Sequence, residues 1–317
     1  MFERYKIAII GFGSIGTRHF DNITSVLKER TSSFAIDLIR SGNGKALIKD
    51  VEKHINHTYS ISDSIPNDYD AIFVANPTHL HYSTIQQFST HTKNMFIEKP
   101  VFDTTNISID DLQLNGHGQY YVACPLRYTS VIQYMKNLCE QESVLCARTI
   151  CSSYLPDWRP DQNYESTYSA HIEQGGGVSI DLIHEWDYLC YLFGQPEQVF
   201  NISGKFSKLN IDCEDVSLYI AKYPHMAVEI HLDYFGRKPI REIQVFTDKD
   251  TIVGDLINSE IRYLKSGEVV SVKQERNDFY RKEIEHFFDI IQGEVPNDNN
   301  IDMALRTLKL AKVGRLR

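Results

Sequence analysis

Four short stretches of this 317-residue chain combine residue types and spacings that could do chemistry. The first is Gly11-Phe12-Gly13-Ser14-Ile15-Gly16, a GxGxxG run between a short apolar segment (6–10) and an amphipathic one (14–29). In that setting the first glycine allows a tight turn, the second lets backbone approach a pyrophosphate, and the third lets helix pack on strand. The helix start adds free N–H groups and the positive end of its dipole. The alternative is a glycine-rich turn with no ligand. A second stretch decides between NAD and NADP. An NAD site places Asp or Glu at the tip of the second strand, for the ribose 2′-hydroxyl. Here Asp37 falls too early, inside the strand, while Arg40, Ser41 and Lys45 occupy the tip. Cations and a hydroxyl suit a 2′-phosphate, so NADP is favoured over NAD, with ordinary loop charge as the alternative.

The third stretch is Asn76-Pro77-Thr78-His79-Leu80-His81 with Glu98-Lys99-Pro100. Both segments follow strands, at the carboxyl-end rim where open α/β sheets bind ligands. Asn76, Pro77, His79, Glu98 and Lys99 are cofactor candidates. Lys99 would also stabilise a developing alkoxide, unless it is a surface cation paired with Glu98. The fourth is Gly175-Gly176-Gly177 followed by Asp181, His184 and Asp187, three apart on one expected helix (181–193). A carboxylate on the same face would tune the imidazole, the natural base for a hydroxyl proton. The plainer alternative is a capped helix with a hydrogen-bonded core histidine. No metal site is expected, because the histidines and cysteines lack ligand spacings such as CxxC or HxxxH.

The elements that must position these residues show a change of texture along the chain. Up to about residue 122, short apolar runs at 6–10, 34–39, 71–74 and 95–97 alternate with helical segments at 14–29, 45–54 and 84–88. That pattern predicts a doubly wound parallel sheet, a Rossmann-type domain over 1–122. Beyond it, strand-like segments at 144–151, 199–204, 216–220, 227–234 and 242–247 run without helices between them, several of them alternating. They predict an α+β domain over 123–317 with a large open, mainly antiparallel sheet. Helices are expected at 130–141, 181–193, 280–292 and 303–313, the last packing back on the first domain.

Composition narrows the classes. With 42% hydrophobic and 24% charged residues the chain is neither disordered nor low-complexity. Its net charge of −9, without a long basic run, argues against nucleic acid or an anionic membrane as main partner. No segment approaches the length of a membrane span, and residues 1–16 do not read as a signal peptide. The six cysteines are expected to be reduced, in a cytoplasmic protein.

Together the motifs IIGFGSIGTRH (9–19), ANPTHLHY (75–82), EKP (98–100), GGGVSIDLIHEWD (175–187) and NDFYRKEIEHFFDII (277–291) resemble the Gfo/Idh/MocA oxidoreductases. This is the family of glucose–fructose oxidoreductase and inositol dehydrogenase. The resemblance implies a Rossmann domain followed by an open-sheet α/β domain. It also implies that Lys99 contacts substrate and nicotinamide ribose, with His184 the catalytic histidine and Asp181 the aspartate before it. Many members space that pair four apart; here the spacing is three, a rotation of about 100° on one helix.

The stretch from Tyr154 through Trp158, Arg159 and Tyr164 to Tyr168 is similar to a branch associated with bacterial surface-sugar synthesis, in which the TrpArg pair lies near cofactor and substrate. Trp158 offers a flat wall and Arg159 a fork for phosphate or carboxylate. Arg127 and Tyr128 match a domain-junction segment, and Tyr280 lies in the closing motif; all three join the substrate candidates. The alternatives are core packing for Trp158 and a surface salt bridge for Arg127. The implied activity is hydride transfer between NAD(P) and a hydroxyl or keto carbon of a sugar, by a homodimer or homotetramer. Two rivals stay open: a redox-assisted lyase or hydrolase with retained cofactor, and a non-enzymatic dinucleotide-sensing regulator.

Overall fold

The computed structural model of the chain describes residues 4–42, 47 and 49–313. They divide into two compact units, Met1–Ala123 with Tyr280–Leu305, and Cys124–Phe279 with Arg306–Arg317.

The first unit alternates β1 (Tyr5–Ile10), α1 (Ser14–Arg30), β2 (Phe34–Arg40), α2 (Lys49–Glu52), β3 (His57–Ser60), β4 (Ala71–Val74), α3 (His81–Phe88), β5 (Asn94–Ile97) and β6 (Gln119–Val122). All its strand pairs are parallel, in the order β3-β2-β1-β4-β5-β6, the dinucleotide-binding order. The central strands are apolar on both faces and buried on both, as a covered parallel sheet requires. Phe73 and Phe96 stack at 5.0 Å, and both meet Phe287, from the returning segment, edge-on at 5.4 and 5.5 Å. Of the helix expected over 45–54, the described residues show only Lys49–Glu52. Strand β3 escapes a search for apolar runs because His57-Thr-Tyr-Ser is an exposed or half-buried edge without apolar alternation.

The second unit opens with α4 (Ser130–Gln141), whose first turn is capped by Thr129 Oγ1 accepting from the Ile132 N–H at 3.3 Å. Then come β7 (Val144–Tyr154), α5 (Val178–Asp181), α6 (His184–Phe193), β8 (Gln198–Gly204), β9 (Val216–Lys222), β10 (Ala227–Asp233), β11 (Phe235–Thr247), β12 (Thr251–Asp255), β13 (Glu260–Tyr263) and β14 (Val269–Ser271). Last are α7 (Asp278–Gln292), which from Tyr280 belongs to the first unit, and α8 (Ile301–Ala311). The eight strands run β14-β13-β12-β11-β7-β10-β9-β8, antiparallel throughout except where β10 lies parallel to β7. Along β9 burial alternates, with Tyr219 and Ala221 inward and Leu218, Ile220 and Lys222 outward. The mainly antiparallel open sheet is as expected.

One expectation fails. The helix expected over 181–193 is broken: α5 ends at Asp181, Leu182 leaves helical geometry at ψ 29°, and α6 starts at His184. Asp181 and His184 therefore sit on different segments, and the rotation argument from their spacing does not apply. Four apolar side chains near the break, Ile180, Leu182, Ile183 and Trp186, are all buried. A continuous helix would turn one stripe inward, whereas the break lets nearly every side chain here face the core.

Candidate functional site

In the first unit the glycine run performs three separate jobs. Gly11 has φ +88°, and a Cβ there would lie 2.7 Å from the Asn76 backbone, so the turn leaving β1 presses against the end of β4. A Cβ on Gly16 would lie 2.3 Å from the Gly11 carbonyl oxygen, so the start of α1 sits directly on the turn. A Cβ on Gly13 would meet nothing within 4 Å. Gly13 is also the N-cap of α1, without a side-chain cap and without an acidic residue in the first turn. Ser14 is exposed beside it, Ile15 half-buried, and Phe12 meets Phe20 edge-on at 5.9 Å. This is a cradle that a Cβ would fill, at the positive end of a 17-residue helix, and it fits a dinucleotide pyrophosphate.

Around the rim, Asp37 is spent inside the sheet: it is buried and accepts from Asn56 Nδ2 (2.7 Å) and Tyr69 Oη (2.9 Å). Arg40 ends β2 half-buried and Ser41 is exposed next to it, while Lys45 lies outside the described residues. Asn76 Nδ2 donates to Thr84 Oγ1 at 2.8 Å, and its Oδ1 is a buried acceptor with no protein donor, which a ribose hydroxyl or carboxamide N–H would satisfy. Pro77 and His79 are exposed.

Two histidines that the sequence reading did not select hold this rim together. His81 is fully buried, with Nε2 3.0 Å from the Asn76 carbonyl and Nδ1 3.1 and 3.2 Å from the carbonyls of Pro100 and Val101. It ties the loop after β4 to the turn after Lys99. Burial pushes its pKa down, against the pull of those carbonyls. His19 of α1 is buried, and its Nε2 lies 2.6 Å from Glu98 Oε1. Burial opposes the charge on Glu98, yet the bond to His19 and the nearby Lys99 hold its carboxyl below the usual range. Glu98 Oε2 accepts from the backbone N–H of Lys99 at 3.1 Å, so a pair anchored on α1 fixes the chain at Lys99. Tyr280 lies in this unit on α7, its ring stacked under the Arg18 guanidinium at 4.3 Å.

In the second unit, α6 is held by two arginine forks. Arg127 donates from Nε and Nη2 to the two oxygens of Asp187 at 2.9 and 2.7 Å, and both residues are buried. Arg241 grips the fully buried Glu185 at 2.6 and 3.0 Å. Bidentate pairs of this kind set orientation more than they add net stability. They lock the helix on which His184 is the first, half-buried residue. Arg127 thus makes its bridge in the interior, and Tyr128 is half-buried beside it.

Asp181, nearly buried, accepts a 2.6 Å hydrogen bond from Tyr234 Oη. The edge of Tyr234 meets Trp158 at 5.3 Å, and Trp158 Nε1 donates to Ser153 Oγ at 2.8 Å. The Arg159 guanidinium lies 5.5 Å over the ring of Tyr168. Leu155, Trp158, Arg159, Tyr164, Thr167 and Ser169 line a shallow depression. Tyr234 was invisible in sequence: it is an ordinary apolar position near the end of an alternating strand, and only the fold brings it to Asp181. Among the described residues no group of three His, Cys, Asp or Glu is placed to hold a metal, and none of the six cysteines is in a disulfide. Burial pushes Cys139, Cys190 and Cys213 up to about 12.

Strand order, glycine turn and rim define a Rossmann-type dinucleotide-binding domain. Residues 5–113 match the model of the oxidoreductase family with NAD-binding Rossmann fold, Gfo/Idh/MocA. A 2,7-anhydro-N-acetylneuraminate hydratase from Mediterraneibacter gnavus is 25% identical over 207 residues, 62% of this chain and 52% of that one. An inositol 2-dehydrogenase/D-chiro-inositol 3-dehydrogenase from Lacticaseibacillus casei is 23% identical over 81% of this chain and 67% of its own. The chain spans about half the length of most of the curated relatives it matches. The WlbA dehydrogenase from Bordetella pertussis, solved with NADH and UDP-GlcNAcA, superimposes with a TM-score of 0.75 at 18% identity, covering 97% of this chain and 94% of that one. At that identity the likeness establishes the fold. No helix among the described residues is long and apolar enough to cross a membrane.

Proposed function

We propose that this chain is an NAD(P)-dependent oxidoreductase acting on a hydroxyl or keto carbon of a sugar or sugar derivative. The observation that carries the reading is the open cradle at Gly13, on the same rim as a lysine fixed by Glu98 and His19. When bound, the nicotinamide supplies or accepts a hydride. Gly11–Gly16 and the start of α1 hold the pyrophosphate, and Arg40 with Ser41 and Lys45 favours the 2′-phosphate of NADP. Lys99 stabilises negative charge on the reacting oxygen, and His184 exchanges the hydroxyl proton. Trp158, Arg159, Tyr164 and Asp181 contact the sugar, with Arg159 suited to a phosphate or carboxylate on it. Neighbours named as a UDP-N-acetylglucosamine 3-dehydrogenase and a dehydrogenase solved with UDP-GlcNAcA support a sugar substrate. The proposal extends to a role in surface-polysaccharide synthesis in the cytoplasm.

The test is a parallel titration of the purified protein with NADPH and NADH, followed by energy transfer from tryptophan. Tight NADPH with weak NADH is expected. The reverse order removes the 2′-phosphate assignment, and no binding of either, with no nucleotide retained on purification, removes the oxidoreductase reading. The hydratase relative favours a second reading, redox-assisted elimination or hydrolysis. It predicts a cofactor that stays bound through many turnovers with no net change in its absorbance.

The reading includes a homodimer or homotetramer. Phe200 and Ile202 on β8 stand opposite Ile220 and Leu218 on β9, all four exposed, and so form one apolar patch. A second copy of the chain is its proposed cover, and light scattering that gives a clean monomer near 36.6 kDa overturns this.

A further inference from the structure

We propose that His81 is a positioning residue that couples the two halves of the cofactor rim: its Nδ1–H always holds the turn after Lys99, and only a second proton, on Nε2, ties the Asn76 loop as well. This rests on the oxidoreductase reading above, which gives Asn76 and Lys99 their work, and names what governs how firmly the rim holds its cofactor.

The ring has more acceptors around it than a neutral imidazole has protons. On one side Nε2 lies 3.0 Å from the Asn76 carbonyl oxygen; on the other Nδ1 lies 3.1 and 3.2 Å from those of Pro100 and Val101. Carbonyl oxygens only accept, and a neutral ring carries one N–H. Its bare nitrogen would face an oxygen lone pair in a fully buried residue, where no water relieves the mismatch. Only the doubly protonated ring donates on both sides. A neutral ring must choose. Nδ1 has two carbonyls to share a proton between and Nε2 has one, so the proton that stays is on Nδ1. The Lys99 turn is therefore held in both states and the Asn76 loop in one.

The charges around the ring let the second proton come and go. Burial opposes it, while the carbonyls and the Glu98 carboxylate favour it, and the balance leaves the ring below its ordinary value. His81 is also the first residue of α3, whose dipole opposes a cation. Glu98 supplies the counter-charge. His19 Nε2 donates to Glu98 Oε1 at 2.6 Å, while His19 Nδ1 is buried with no partner, so a second proton on His19 would be stranded. His19 thus leaves the Glu98 charge uncancelled, and Lys99 is the cation beside it. The rest of α3 and residues 100–102 bring no further charge, and the loop over 75–80 brings only the exposed His79.

The Asn76 loop matters because two parts of the cradle rest on it. A Cβ on Gly11 would lie 2.7 Å from the Asn76 backbone, so the glycine turn is seated there. The Asn76 side chain, held through Nδ2 by Thr84 at 2.8 Å, presents the buried Oδ1 that has no protein donor. Tying the Asn76 carbonyl fixes both against the turn that follows Lys99. Raising the pH removes the Nε2 proton, frees the loop and loosens the cofactor; lowering it restores the tie.

Two measurements on the full chain test this. The first needs no cofactor: histidine labelled with ¹³C and ¹⁵N is followed by NMR against pH, with His81 assigned through its own backbone resonances. At about pH 5 both ring nitrogens should carry protons. The proton lost as pH rises, at a midpoint below about 6.5, should be that on Nε2, leaving the Nδ1–H tautomer. A ring that is neutral throughout, or that keeps Nε2–H, overturns the proposal. The second is titration with NADH, chosen because it lacks a 2′-phosphate, whose second ionisation falls near about 6. Its dissociation constant should rise about three- to tenfold between about pH 5 and pH 8, in step with loss of the Nε2 proton, the effect of one ordinary hydrogen bond. His81→Gln, whose amide nitrogen donates on one side only, should bind NADH independently of pH and as weakly as the wild type does at the alkaline end. The same pH dependence in both proteins overturns the proposal. Should the variant not fold, the wild type alone decides, because an NADH affinity that does not follow the Nε2 proton overturns it too. If the wild type binds no NADH at any pH, the cofactor reading fails and the coupling fails with it, while the NMR titration still decides which carbonyls His81 holds.

Discussion

In the first unit a Cβ on Gly13 would project into open space; in the second a Cβ on Gly176 would strike the Tyr168 carbonyl oxygen at 2.3 Å, and one on Gly177 the Glu214 carboxylate at 2.6 Å. All three glycines stand in glycine-rich runs that lead into helices. At Gly13 the missing side chain leaves unfilled room, whereas at Gly176 and Gly177 it lets two segments of protein touch. The difference teaches that missing side chains are an invitation to a ligand only where the space they leave is unfilled. The same contrast extends to the polar groups. At the first site Asn76 Oδ1 is buried without a donor, whereas in the second unit the Asp181, Glu185 and Asp187 carboxylates all have protein partners.

The sharpest way to break the contrast is chemical. His184→Ala should lower kcat by about 10²–10⁴-fold, the range for losing a general acid–base group, with the dissociation constant for NAD(P)H unchanged in a binding titration. A matching loss of cofactor binding would mean that the two units do not divide the work. Next in size is Arg241→Ala, which strands the fully buried Glu185 carboxylate and should destabilise the protein by about 3–5 kcal/mol in urea unfolding. A change below about 1 kcal/mol would show that the fork does not anchor α6.

The glycine contrast itself is tested by a matched pair. Gly176→Ala should cost about 1–3 kcal/mol, because backbone must move to admit the methyl group. Gly13→Ala, at φ −84°, should leave stability within about 0.5 kcal/mol and instead weaken NAD(P)H binding, read from the same titration. Equal stability losses in the two variants would erase the distinction. The smallest expected effect concerns Glu98. Its lowered folded pKa means that ionisation favours the folded state, so its contribution is full above the ordinary carboxylate value of about 4.3 and is lost as pH falls through the lowered value. The stability gap between wild type and Glu98→Gln should therefore close on acidification, and a gap that stays constant from neutral pH down to about pH 3 would remove the His19–Glu98 pair as its source.

Much of the dinucleotide unit was legible in the sequence because its signals are local. A strand, a glycine turn and a helix are adjacent along the chain, and Asp37 could be set aside because it falls in mid-strand, where the structure shows it bonded to Asn56 and Tyr69. Other features gave no local signal. His81 and His79 are two residues apart and alike as letters, yet one is buried among three carbonyls and the other is exposed. The single helix expected over 181–193 followed from a periodicity that a break can imitate when nearly every side chain is buried. The edge strand β3 and the short β13 and β14 lack apolar runs and declare themselves only by pairing.

What the amino-acid order determined alone is whatever depends on neighbours in the chain: alternating buried strands and helices, a glycine turn at the head of α1, and a lysine after β5. Tertiary structure decided every pairing that spans the chain. Tyr234 reaches Asp181 across 53 residues, Arg127 reaches Asp187 across 60, and His19 reaches Glu98 across 79. Periodicity and capping report the local backbone, which a few residues set. A hydrogen bond between distant side chains exists only after sheets and helices have placed both partners within about 3 Å, and the sequence carries no mark of that distance.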